Sequence, residues 1–419
     1  MMALPVQACR SSTDPGNQHF QVPWSAPPAI LVSRLAPRPG THVTVGDSSE
    51  LSGNGRFVLF YSLTEDSRRG GYRTRLLLRD VTRNRTTVVD AYNADDVSGQ
   101  RPPSRPPFGA WGGPSISADG RYVAFESPVN AAPGGGDRTS DVFVYDRKLD
   151  KVRLVSRSGA GEPADRASFE PVISSTGRFV AFTSYATNLT AKDEDPGADV
   201  FVKDLHRGAV ALVSRALDSS SRRPRRESGF PSISADGSKV AFLSDAADLV
   251  AGDTNRAVDA FVHDLRSHRT VRVSVDSDGG ELEPFVYTEG ASVYRDGVDE
   301  AQISGSGREV AFSSHANGLV PEDDNNVPDI FVHVVDTGAT ERVSVPTGGG
   351  DGYGPEDRAC GNNGQCFWPI GSQAPSISHD GRFVAFHSGA PLLYPADKDA
   401  KNGGGEIFSC MIDRRLRLC

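Results

Sequence analysis

The phrase PSISADGRYVAF at 114–125 returns along the chain with small changes, and no other feature restricts the fold as tightly. Its core appears as ELSGNGRFVLF from Glu50, SISADGRYVAF from Ser115, VISSTGRFVAF from Val172, SISADGSKVAF from Ser232, QISGSGREVAF from Gln302 and SISHDGRFVAF from Ser376. The shared glycines Gly55, Gly120, Gly177, Gly237, Gly307 and Gly381 follow Asn, Asp, Thr or Ser, the chemistry of a tight turn whose last residue takes positive φ. Each copy therefore reads as a β-hairpin, at about 50–62, 114–127, 171–184, 231–244, 301–314 and 375–388.

A third strand follows each hairpin: RLLLRD from Arg75, DVFVYD from Asp141, DVFVKD from Asp199, DAFVHD from Asp259, DIFVHV from Asp329 and EIFSCM from Glu406. A fourth comes shortly after, as in VRLVSR from Val152 and VALVSR from Val210. In the third strands Val142 and Val144 alternate with Phe143 and Tyr145, so both faces are apolar and both must be covered. Repeated four-stranded antiparallel sheets covered on both faces define an all-β, six-bladed β-propeller. AILVSRL at 29–35 reads like a fourth strand placed before the first hairpin, which predicts that an N-terminal strand closes the ring. RRLRLC at 414–419 competes for the same place. Residues 1–28 read as a disordered tail, and 29–419 as one propeller domain.

These units resemble the WD-like repeats of TolB-like β-propellers, whose hairpin reads Ser-Pro-Asp-Gly before a short IAF strand. The likeness runs over about residues 29–419 and departs at the proline, since this chain has SADG, SSTG, SGSG and SHDG. It implies a propeller that serves as a binding scaffold, an enzyme gatekeeper or, in some members, an enzyme.

The net charge of −9 disfavours nucleic acid as a partner. No apolar run approaches the roughly 20 residues of a transmembrane helix, and the sequence as given opens without the pattern of a signal peptide. Of the five cysteines, Cys360 and Cys366 flank a turn-rich spacer and Cys410 and Cys419 fall in the last two strands. Two disulfides, and with them an extracellular or cell-envelope location, are one reading; reduced buried thiols are the other.

In a propeller the first-to-second and third-to-fourth connections share one end. Here they are short, and the long connections gather at the other end, where binding residues are expected. Three second-to-third connections carry oxygen ligands at one spacing: Asp193, Asp195 and Asp199; Asp253, Asn255 and Asp259; Asp323, Asn325 and Asp329. Such residues fit Ca²⁺, and they equally cap turns through their own backbone. Trp111, Phe169, Phe230 and Trp368, near the first strands beside Glu170, Glu227 and Glu300, fit a stacking surface for a sugar or a protein, or the packing between blades. The basic run SRRPRRESG at 221–229 is read as a solvated loop or as an anion contact.

No G-x-S-x-G, HExxH or CxxC motif occurs. The expected function is a monomeric, non-catalytic binding propeller that takes a protein or a glycan on its long-loop end. The alternative is a carbohydrate-active enzyme, a glycoside hydrolase or polysaccharide lyase, using carboxylates of the channel.

Overall fold

The computed structural model describes residues 43–66, 71–93, 113–127, 140–191, 193, 197–217, 227–289, 292–321, 323, 327–345, 359–360, 366–367, 371–389 and 408–415. Six antiparallel sheets follow one another in chain order, each a simple meander. Blade 1 is β1 (Val43–Leu51), β2 (Phe57–Asp66), β3 (Gly71–Asp80) and β4 (Arg85–Asn93). Blade 2 is β5 (Ser115–Ile116), β6 (Tyr122–Ser127), β7 (Asp141–Asp146) and β8 (Lys151–Leu154). Blade 3 is β9 (Ser168–Ile173), β10 (Phe179–Ser184), β11 (Asp199–Asp204) and β12 (Val210–Leu212). Blade 4 is β13 (Ser228–Ile233), β14 (Lys239–Ser244), β15 (Asp259–Asp264) and β16 (Arg269–Arg272). A hairpin, β17 (Phe285–Glu289) and β18 (Ser292–Asp296), then leads to blade 5: β19 (Val298–Ile303), β20 (Glu309–Ser314), β21 (Asp329–Val334) and β22 (Ala339–Arg342). A second, shorter hairpin, β23 (Ala359–Cys360) and β24 (Cys366–Phe367), precedes the three described strands of blade 6, β25 (Ser372–Ile377), β26 (Phe383–Ser388) and β27 (Phe408–Asp413).

The third strands behave as their sequence requires: every residue of β7 and of β11 is buried. Their apolar side chains form cores between consecutive blades. One core joins blades 1 and 2 through Phe57, Leu78, Phe125 and Phe143. Equivalent cores join blades 2 and 3, 3 and 4, 4 and 5, and 5 and 6. Inside blades 2 to 5 a cross-strand phenylalanine pair stacks, as with Phe242 and Phe261 at 5.6 Å between ring centroids. Each fully buried phenylalanine contributes roughly 1.5–3 kcal/mol. The innermost strands β1, β5, β9, β13, β19 and β25 contact one another in that order. This serial packing makes the chain a β-propeller, with successive blades as its repeating unit. The segments expected to close the ring, 29–35 and 416–419, lie outside the described residues.

The hairpin turn explains why its phrase is repeated. In blade 2, Ser117 Oγ donates to Asp119 Oδ1 at 2.8 Å and accepts the Tyr122 amide at 3.0 Å, so one hydroxyl ties both sides of the turn. Gly120 has φ of +66°, and a Cβ there would lie 2.1 Å from the Phe57 ring of blade 1. Glycine is thus required twice, by its own backbone and by the neighbouring blade. Arg121 then forks onto Asp146 at 3.1 and 2.8 Å, and Asp146 also accepts the Lys148 amide of the next turn.

Candidate functional site

The inner strands do not run straight. In blades 3, 4, 5 and 6 the register between the first and second strands shifts by a bulge. At three of these bulges a residue with a side chain takes left-handed φ: Glu170 at 55°, Phe230 at 53° and Ala374 at 53°. Such conformations cost on the order of 1 kcal/mol or more and persist where the surroundings hold them. What holds them is a carboxylate of the preceding blade. Glu126 accepts the Glu170 amide, Glu170 Oε2 accepts the Phe230 amide at 2.9 Å, and Glu300 accepts the Ala374 amide.

These carboxyl groups are desolvated, which favours their neutral form. Burial pushes Glu126 up to about 7 against the Ser140 hydroxyl and the Glu170 amide. Burial also pushes Glu170 up to about 7, opposed by the Phe230 amide and the Thr183 hydroxyl and aided by the nearby Glu126. Glu50, in the inner strand of blade 1, is pushed up to about 8 by burial, with the Ser115 hydroxyl 3.5 Å from Oε1. Glu300 is raised by burial while His387 pulls the other way. The buried oxygens Glu170 Oε1 and Glu50 Oε2 accept no hydrogen bond. Two carboxyl groups near neutrality can act as general acid and base. Glu170, however, is only 4% exposed and its other oxygen is committed to Thr183 at 2.7 Å and to the Phe230 amide.

The residues singled out from sequence have separate fates. Phe169 is a core side chain, 1% exposed and 5.6 Å from the Tyr185 ring, so it is not part of a stacking surface. Glu170 is an internal hydrogen-bond acceptor. Glu227 Oε2 accepts the Ala198 amide at 3.3 Å, tying blade 4 to the third strand of blade 3. Phe230 is half-buried against the core between blades 4 and 5. Glu300 is half-buried beside His387. His315 Nε2 lies 3.5 Å from Asp299 Oδ2. Trp111 and Trp368 lie outside the described residues, as does the run 221–226.

The acids of these connections have protein partners in the structure. At the start of the third strand, Asp259 Oδ1 accepts Ser274 Oγ at 2.5 Å while the same hydroxyl accepts the Ala260 amide. Asp141 with Ser156, Asp199 with Ser214 and Asp329 with Ser344 repeat this latch. In blade 4 the space between the acids holds a guanidinium: Arg272 Nη1 is 3.4 Å from Asp253, 3.6 Å from Asp259 and 2.6 Å from Glu281. Asn255 Nδ2 donates to Asp259 Oδ2. In blade 5, Arg342 stands 3.6 Å from Asp323 and 3.3 Å from Asp329. In these two connections an arginine stands between the acids that the sequence offers for calcium. Blade 3 has Asp193 and Asp199 with Leu212 in the arginine's position, and Asp195, like Asn325, lies outside the described residues. Among the described residues no three His, Cys, Asp or Glu side chains are grouped to hold a metal ion.

Cys360 and Cys366 are directly opposed in the register of β23 and β24. Cys410 packs half-buried against the core between blades 5 and 6, and Cys419 lies outside the described residues. Glu126 and Glu50 escaped the sequence reading, although a signal existed. Glu126 stands in a second strand where the sibling blades have Thr183, Leu243 and Ser313.

The class defined by these blades is the β-propeller. Among solved structures the chain is similar to a TolB of Agrobacterium tumefaciens, 16% identical over 82% of this chain and 85% of that one, with a TM-score of 0.40. It is also similar to the propeller domain of the Trilobed protease from Pyrococcus furiosus, 13% identical over 88% and 92% of the two chains, with a TM-score of 0.36. A prolyl endopeptidase is 11% identical, with a TM-score of 0.44, over 89% of this chain but 43% of its own. No family model matches the sequence, and no curated protein matches it. These likenesses concern the fold and carry nothing about activity.

Proposed function

We propose that the chain is a non-catalytic binding propeller that takes a macromolecular partner, a protein or a glycan, on the end bearing its long connections. The observation that carries this reading is the unequal decoration of the two ends. Five residues separate the first and second strands in all six blades, whereas the second and third are separated by four residues in blade 1 and nineteen in blade 6. The hairpins β17–β18 and β23–β24 are both inserted in fourth-to-first connections, on the same end. Variable inserts on a rigid repeat are a common way to build a recognition surface. The opposed Cys360 and Cys366 fit an extracellular or cell-envelope setting, where a disulfide between them would persist.

The second reading, a carbohydrate-active enzyme, draws on Glu126 and Glu170, both near 7. Against it stands the use of the Glu170 carboxylate as an acceptor for its own blades. Thermal shift against a panel of polysaccharides and oligosaccharides, each with calcium or with a chelator, tests both. A rise with one saccharide that survives Glu170→Gln supports glycan binding, and product release lost in Glu170→Gln supports the enzyme. A flat panel, followed by specific co-purification from the native host that is lost when β17–β18 is removed, supports a protein partner. A flat panel with no such loss overturns the reading.

A further inference from the structure

Among the described residues two buried arginines lie between carboxylates. Arg272 sits among Asp253, Asp259 and Glu281, and Arg342 between Asp323 and Asp329. Lys203, the penultimate residue of β11, is 6% exposed and donates to two carbonyls of the preceding blade, Arg157 at 2.9 Å and Ser158 at 3.2 Å. Its counterparts bond side chains within their own blades: Arg79 bonds Thr86 and Asn84, Tyr145 bonds Asp150, and His263 and His333 bond Thr270 and Thr340. Only blade 3 places an ammonium at this position and sends it across the blade interface.

Lys203 opens onto a cavity of about 400 Å³ between blades 2 and 3, walled by Val152, Leu154 and Leu205. Arg157 and Arg153 also line it. The Arg157 guanidinium donates to Gly161 O at 2.6 Å, and a Cβ on Gly161 would lie 2.7 Å from Arg157 Nη2, so the turn 158–161 is shaped around the guanidinium. The one carboxylate in the lining, Asp204, is already engaged by both nitrogens of the Arg178 fork and by the amides of His206 and Arg207. Burial and the Arg157 charge together pull Lys203 down to about 8. Three cations thus line a cavity whose one carboxylate is already paired with Arg178.

We propose that this cavity between blades 2 and 3 binds a small organic anion, with Lys203 and Arg157 holding a carboxylate or phosphate group and the apolar walls receiving the body. A planar guanidinium and an ammonium from two directions suit either group. The volume admits a molecule of about the size of one sugar ring. The site draws on Arg157 and the turn 158–161 of one fourth-to-first connection but on neither inserted hairpin and on no second-to-third connection, so its failure leaves the partner-binding reading intact.

The test is calorimetric titration of the whole chain with glucuronate, glucose 6-phosphate, inorganic phosphate and, as neutral control, glucose. One or both sugar anions are expected to bind, and glucose is not. Arg157→Gln should weaken binding roughly tenfold, while loss of the bond to Gly161 O lowers the melting temperature of the unliganded chain by no more than about 2 °C. Lys203→Met should abolish binding. Because Lys203→Met removes two hydrogen bonds between blades, its folding is checked first, and Arg157→Gln carries the decision if it fails. Binding by glucuronate alone marks a carboxylate site, and binding by glucose 6-phosphate and phosphate marks a phosphate site. Absence of heat from every anion, or equal affinity in Arg157→Gln, overturns the proposal.

Discussion

The two ends of a blade are held by different economies of hydrogen bonding. At the hairpin end Ser117, Ser174, Ser234 and Ser378 each close the turn on an amide five residues ahead, and Arg121, Arg178 and Arg382 each fork onto the aspartate that ends the third strand. At the opposite end the Asp–Ser latch and the hydroxyl pairs Ser168–Ser184, Ser228–Ser244 and Ser372–Ser388 repeat, but what surrounds the latch changes: Arg272 in blade 4, Arg342 in blade 5, Leu212 in blade 3. A repeated end is constrained by its neighbours on both sides, because each turn packs on the next blade. A varied end meets no such template and is free to diverge.

The largest expected effect breaks the repeated end at its glycine. A Cβ at Gly237, φ +74°, would lie 2.2 Å from the Phe179 ring of the preceding blade, whereas one at Gly55, φ +69°, meets nothing within 4 Å. Gly237→Ala should cost about 3 kcal/mol, strain and overpacking together, against about 1 kcal/mol for Gly55→Ala, where only the backbone is strained. Urea denaturation of both variants measures the difference. Equal losses would mean that blade stacking does not hold the turn.

The latch comes next. Ser274→Ala removes the donor to Asp259 and the acceptor of the Ala260 amide in a buried place, and should cost about 2 kcal/mol. Ser156→Ala in blade 2 should cost about the same, since Asp141 and Val142 are held alike. A much smaller loss in blade 4 would show that Arg272 alone restrains Asp259.

How much of this could be read in the sequence follows the same division. The turns, the third strands and the succession of six sheets are legible because each is a local rule repeated, and Val142–Tyr145 announce burial on both faces by their composition alone. The site was far less legible. Phe169 and Glu170 are adjacent in sequence, yet a bulge at Glu170 decides that one fills the core and the other caps the amide of Phe230, 60 residues away. The Asp253, Asn255, Asp259 spacing gives no sign of Arg272, which lies between those acids, or of Glu281, which shares that guanidinium, because both come from beyond the connection. Pairings between blades are not written in any short window.

A smaller effect distinguishes the inner band of carboxyls from the outer strands. Glu50, Glu126 and Glu170 keep protons in the folded chain up to about pH 8, 7 and 7 that the unfolded chain releases near 4.5. The folded state then binds more protons, so their contribution is full below pH 4.5 and falls as pH rises through the folded values. His263 and His333 work oppositely, since the folded chain binds their protons only below about 4 and the unfolded chain below 6.5. Their contribution grows between those values and is flat above. Between pH 6.5 and 8 the glutamates act alone within this set, and stability should decline by on the order of 1 kcal/mol for each. Glu170→Gln keeps an acceptor for Thr183 and the Phe230 amide and should flatten part of that slope in melts across the window. An unchanged slope would place the proton elsewhere.

The smallest effect on stability is expected where the varied end is most elaborate. The strands β17 and β18 pair with each other in a sheet of their own, and among the described residues neither pairs with a strand of blade 4 or 5. Val286 on it is 50% exposed. Replacing 285–296 by a short Gly-Ser link should leave the melting temperature within about 2 °C, because the core between those blades is made by Leu282, Val298 and Phe312 outside the excised segment. A large drop would show that the insert braces the blade interface, and the contrast between a structural end and a recognition end would fail at this point. Retained stability together with lost partner capture is the result that gives the contrast its functional meaning: the repeat supplies rigidity, and the inserts between repeats are then free to be shaped by what they bind.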